Sequence, residues 1–135
     1  GGFDEGFFFF LEETDLCRRM KEAGYEVCFH PGAQAVHLGG ASKARVPAEA
    51  WIEYYRSLYR YFGKHEKRWV LPLLRAGRFV KLAFNFAGTA ALLYASMGMH
   101  ARSLRKLPTY LKLLQWHLMA CPDDWGLAGR TREKR

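Results

Sequence analysis

The chain has 135 residues, 50% of them hydrophobic and 16% aromatic, with a formal net charge of +8. That length allows one domain with a real core, and that composition excludes general disorder. Three cysteines, Cys17, Cys28 and Cys121, form no C-x-x-C pair, which excludes a zinc ribbon or a disulfide framework and leaves buried, reduced thiols of a cytoplasmic protein.

The opening Gly1-Gly2, without Met, reads as the start of a fragment, and no basic stretch precedes an apolar run as in a secretory leader. Charge divides the chain. Residues 1–50 hold five Lys/Arg and eight Asp/Glu, and residues 51–135 hold sixteen and five. The first part is acidic and compact; the second is basic and aromatic and suits an anionic partner.

Residues 1–11, GGFDEGFFFFL, place a short apolar run after Gly6, a buried strand or loop. Residues 12–23, EETDLCRRMKEA, predict a helix with acids at its start, Leu16, Met20 and Ala23 on one face and Gly24 as its stop. YEVCF at 25–29 alternates as a strand, His30-Pro31-Gly32 turns, and QAVHL at 34–38 is a second strand. Gly39-Gly40-Ala41-Ser42 opens a mobile loop.

Pro47 suits the first position of a helix, along which Trp51, Tyr55, Leu58 and Phe62 recur as a packing stripe. Gly63 and the cluster Lys64, His65, Lys67 and Arg68 interrupt that pattern. Residues 69–100 are the most apolar stretch, with no charge from Leu82 to Met99, a length at the lower limit for crossing a bilayer. Basic residues flank the run on both sides and assign no orientation. A second apolar segment, 108–119, is too short to span. Beyond Pro122 the chain is polar and basic and reads as disordered.

Taken alone, Glu12, Glu13 and Asp15 are acids favoured by a helix N-terminus, with Glu12 and Asp15 sharing a face. His30, His65, His100 and His117 show no ligand spacing. The order of motifs adds more: GGFDE, then E-E-T-D-L-C-R-R, then A-G-Y, a strand, P-G-A, and V-H-L-G-G. Over its first 42 residues the chain resembles the end of the catalytic domain of family 2 glycosyltransferases, notably their rhamnosyltransferase-like bacterial members.

The resemblance implies an α/β fold, the C-terminal part of a Rossmann-like GT-A domain at residues 1–46. A helical, membrane-associating region at 47–120 and a disordered basic tail at 121–135 would follow. It also implies an inverting displacement in which a carboxylate deprotonates the acceptor hydroxyl. Glu13 stands where relatives carry that base, with Glu12 as its neighbour in the pair and Asp15 ordering the loop. Gly1, Gly2 and Asp4 match the loop beside the acceptor, although an ordinary turn fits them equally. Gly39, Gly40 and Lys43, with Ser42 and Arg45, resemble a loop closing over the donor diphosphate. His37 matches the position of a ligand for a divalent metal, Mn²⁺ or Mg²⁺, or of a hydrogen bond to the diphosphate. No D-x-D motif occurs in the chain; the resemblance places it upstream.

The implied partners are a nucleotide-sugar donor, a cell-surface glycan or lipid-linked acceptor, and an anionic membrane surface at the cytoplasmic face of the bacterial inner membrane. A non-catalytic membrane-binding module is the alternative. Nucleic-acid binding has the charge but no recognised motif.

Overall fold

A computed structural model of the chain describes residues 2–36 and 47–127. The described residues hold four helices: α1, Glu12–Glu22; α2, Pro47–His65; α3, Val70–Ala95; and α4, Ala101–Leu118.

The ends of three helices follow from the same backbone device. After α1 the N–H of Gly24 donates to the Lys21 carbonyl and that of Tyr25 to Met20, with Gly24 at φ 85°. After α3 the pairs are Met97 to Tyr94 and Gly98 to Leu93, and after α4 they are Ala120 to His117 and Cys121 to Trp116. This is the Schellman pattern, which closes the last carbonyls through a left-handed residue. Helix α4 begins at His100, whose ring nitrogen accepts from the Ser103 N–H.

The core is aromatic and lies where α2 crosses the α3–α4 hairpin. Ile52, Tyr55, Leu58 and Tyr59 of α2 meet Leu82 of α3 and Leu113 and Trp116 of α4. The Tyr59 and Trp116 rings stack with centroids 6.3 Å apart and planes 4° from parallel. Three members of the expected α2 stripe serve this core, Tyr55 and Leu58 buried and Phe62 packed against it, while Trp51 stays half exposed. The helix runs through Gly63 and ends at His65, inside the basic cluster.

The expected α/β, Rossmann-like GT-A architecture is overturned: the described residues form four helices and no strand. Alternation at 25–29 and 34–36 supplies faces but no pairing backbone. A strand persists only when another segment takes up its N–H and C=O groups. Here Ala33 bonds locally to the His30 carbonyl, and Phe29 and Val36 are each 90% exposed.

Residues 121–127, read from the sequence as the start of a disordered tail, lie against α2. The Arg56 guanidinium donates to the carbonyls of Pro122 at 3.0 Å, Asp123 at 3.4 Å and Trp125 at 2.6 Å. Glu53, fully buried, pairs with Arg56 at 2.8 Å and accepts from the Leu127 N–H at 3.2 Å. Gly126 sits at φ 122°, where an added methyl would fall 2.1 Å from the Glu53 carboxylate, so the latch requires glycine.

Candidate functional site

The N-terminal loop, the first turn of α1 and the last turn of α2 converge on one electrostatic knot. Asp15 is the buried residue of α1, in place of the Leu16–Met20 face that periodicity favours. Its Oδ1 lies 2.8 Å from Lys64 Nζ and 2.7 Å from His65 Nε2, and its Oδ2 lies 2.7 Å from Arg19 Nε. Burial alone pushes this carboxyl upward, but the hydrogen bonds from Lys64, His65 and Arg19 outweigh it and hold the group far below the usual carboxylate range.

Lys64 bridges onward to Asp4 Oδ2 at 2.7 Å. Asp4 also accepts from the Gly6 N–H at 2.8 Å and from Arg60 at 3.3 Å. Lys64 and then the Gly6 amide lower its carboxyl below the ordinary value. Arg19 reaches the Gly2 carbonyl at 2.8 Å. The GGFDE loop is thereby tied to α1 and α2 through its aspartate and its backbone. Arg18 adds an outer clasp, to Glu66 at 2.7 Å, Glu22 at 3.0 Å and the His65 carbonyl at 3.0 Å.

The other two acids of the helix start are placed differently. Glu13 is exposed to solvent, and Glu12 is half-buried, its Oε2 shielded from solvent with no hydrogen-bond partner among the described residues. The backbone that delivers them is strained: Phe10 and Leu11 sit at φ 70° and 65°, a left-handed conformation that bulky residues rarely adopt. Such a bend aims the first turn of α1 and throws Phe10 onto α2, where its ring meets Tyr54 edge-on at 5.7 Å.

Beside that turn Phe10, Ala50, Trp51 and Tyr54 line a pocket of about 260 Å³. Trp51 and Tyr54 stand edge to face at 5.4 Å. Two residues of chain span at most about 7 Å, so Glu12 begins within that reach of the pocket's Phe10 wall.

The structure thus brings together Gly2, Asp4, Glu12, Glu13 and Asp15. Gly1, His37, Gly39, Gly40, Ser42, Lys43 and Arg45 lie outside the described residues. Among the described residues no group of three His, Cys, Asp or Glu side chains could hold a metal ion. His37, the ligand the resemblance implies for a divalent cation, is outside the residues so searched.

Sequence reading missed the partners of the site. Lys64 and His65 read only as an interruption of the helical pattern, and Arg19 carries no local signal, because nothing local reveals that the end of α2 folds back on the start of α1. By spacing Trp51 belongs to the packing stripe; its half exposure is a tertiary fact.

Comparison with known proteins places these residues in context. Over 74 residues, 54% of the chain, it is 34% identical to an N-acetylglucosaminyl-diphospho-decaprenol L-rhamnosyltransferase of Mycobacterium tuberculosis. Over 63 residues, 47% of the chain, it is 30% identical to rhamnosyltransferase WbbL of Escherichia coli K12. The chain is similar to rhamnosyltransferases across about half its length. The longer match exceeds the 42-residue motif segment, so the likeness is not confined to it. Each match covers 24% of the relative, so the chain spans about a quarter of the length of the curated relatives it matches. No family model matches the chain, and no solved structure matches it.

Proposed function

We propose that this chain supplies the acceptor-side part of an inverting glycosyltransferase, one that moves a hexose such as rhamnose from a nucleotide-sugar donor to a lipid-linked or cell-surface glycan. The observation that carries this reading is the division of labour at the start of α1. Asp15 is enclosed by Lys64, His65 and Arg19 and fixes the helix, while Glu13, two residues earlier, projects into solvent. A base for this reaction must be rigidly mounted yet open to the acceptor.

In the reaction so read, Glu13 accepts the proton of the acceptor hydroxyl as its oxygen attacks the anomeric carbon. The bond from that carbon to the donor's diphosphate breaks, and the nucleoside diphosphate leaves. The pocket of Phe10, Trp51 and Tyr54 offers aromatic faces for the apolar side of an acceptor sugar, next to the turn that carries the acids. The names of the two relatives, both rhamnosyltransferases, support the reaction class and the choice of sugar. Lys43, with Gly39 and Gly40, would face the leaving diphosphate, and the donor reaction would take place at the cytoplasmic face of the inner membrane.

The test is sugar transfer measured with a glycosyltransferase preparation that contains this chain. Glu13→Gln should abolish transfer while nucleotide-sugar binding survives. Near-normal turnover would remove Glu13 as the base.

A further inference from the structure

Helix α3 carries its cations, Arg75, Arg78 and Lys81, in its first half and is uncharged from Leu82 to its end, yet the protein covers little of it: of its 26 residues Leu82 alone is buried. An uncharged and largely apolar helical half left uncovered suits contact with an apolar medium. The bare surface concentrates at the hairpin tip, where Tyr94, Met97 and Met99 are 90%, 89% and 82% exposed, with Leu92 and Leu104 beside them. Contiguous exposed apolar surface of this kind marks an interaction face.

Charge identifies the partner. From Lys67 to Pro122 the chain carries nine Lys/Arg and no Asp or Glu. Arg102, Arg105 and Lys106, all exposed in the first two turns of α4, make no ion pair among the described residues. A face so uniformly basic repels a second copy of itself and attracts an anionic surface. No helix among the described residues is long and apolar enough to cross a membrane, and the turn at 96–100 folds α4 back along α3.

We infer that the tip of the α3–α4 hairpin inserts into the interface of an anionic lipid bilayer without spanning it. Tyr94, Met97 and Met99 enter the headgroup–acyl boundary, and Arg102, Arg105 and Lys106 lie at the level of the lipid phosphates with their stems along the apolar surface. The inference stands apart from the transfer reading, since it needs neither Glu13 nor a donor.

The test is flotation of the whole chain with vesicles of phosphatidylcholine alone and with a quarter phosphatidylglycerol. Wild type should float with the anionic vesicles and release in high salt. The triple change Arg102→Gln, Arg105→Gln, Lys106→Gln should weaken partitioning about a hundredfold, at roughly fivefold per cation. Tyr94→Ser, Met97→Ser, Met99→Ser together should abolish flotation with thermal unfolding unchanged, because all three are exposed. Failure to float, or flotation indifferent to both triple changes, overturns the inference. A lipid-free dimer that the serine variant dissociates, with no vesicle binding, assigns the face to a second copy and overturns it equally.

Discussion

The Lys64 ammonium lies 2.8 Å from the Asp15 carboxylate, joining the end of α2 to the start of α1 across 49 residues of sequence. Because Asp4 shares the same ammonium at 2.7 Å, one lysine sets the mutual position of the N-terminal loop and the acids of the helix start. The placement of Glu13 therefore depends on Lys64, Asp15 and Asp4.

Replacing Asp15 by Asn should destabilise the protein by about 2–3 kcal/mol, more than a surface pair and less than a wholly buried one, since Lys64 and Arg19 are partly solvated. The carboxyls of Asp15 and Asp4 titrate lower in the folded chain than their ordinary 3.8. Their contribution is then complete above about pH 4 and is lost as pH falls through the folded values. Denaturant melts between pH 7 and pH 2 check this. Wild type should lose stability steeply below pH 4, and Asp15→Asn should lose less.

His117 gives a second, separate pH response. Its Nδ1 donates to the Leu113 carbonyl at 2.7 Å, which leaves Nε2 to accept from the Tyr59 hydroxyl at 2.7 Å. Burial lowers its affinity for a proton below the ordinary 6.5. The unfolded chain therefore binds that proton more readily, and stability should be full above pH 6.5 and decline as pH falls below it. His117→Gln should remove this decline, and Tyr59→Phe should cost about 1–2 kcal/mol by leaving Nε2 without a donor. Thermal melts from pH 7.5 to 5 read both.

The tail latch depends on a planar fork of donors. Arg56→Lys keeps the charge but cannot serve the Pro122 and Trp125 carbonyls together while also holding Glu53, so about 2 kcal/mol of local stability should go. Amide exchange at residues 123–127 should quicken well before global unfolding. Unchanged exchange there would show that the core contacts of Trp125, not Arg56, hold the tail.

For the proposed transfer reaction, Glu13→Gln should lower turnover by about 10²–10⁴-fold, the usual weight of general base catalysis. Trp51→Ala should act on the acceptor instead, raising its KM roughly tenfold with kcat little altered, as expected for a contact made equally in ground and transition states. Steady-state kinetics with varied acceptor separate the two. A Trp51 variant that changed kcat alone would exclude the pocket as an acceptor contact.

The amino-acid sequence by itself determined the local events. Acids followed about three turns later by Gly24 specify α1 and its Schellman end, Pro47 starts α2, and the Tyr55–Leu58–Phe62 spacing builds a core face, because capping and helical periodicity act within a few residues. The order of motifs from Gly1 to Gly40 likewise pointed to rhamnosyltransferases, to which the chain is similar over about half its length. Tertiary structure decided the rest. The alternation at 25–29 formed no strand, since pairing needs a second backbone that the described residues do not provide. Asp15 became a buried anchor and Glu13 stayed open, although both are acids of the same helix turn. Which carboxylate meets Lys64, His65 and Arg19 depends on how α2 returns against α1, a long-range contact that no short window of sequence contains.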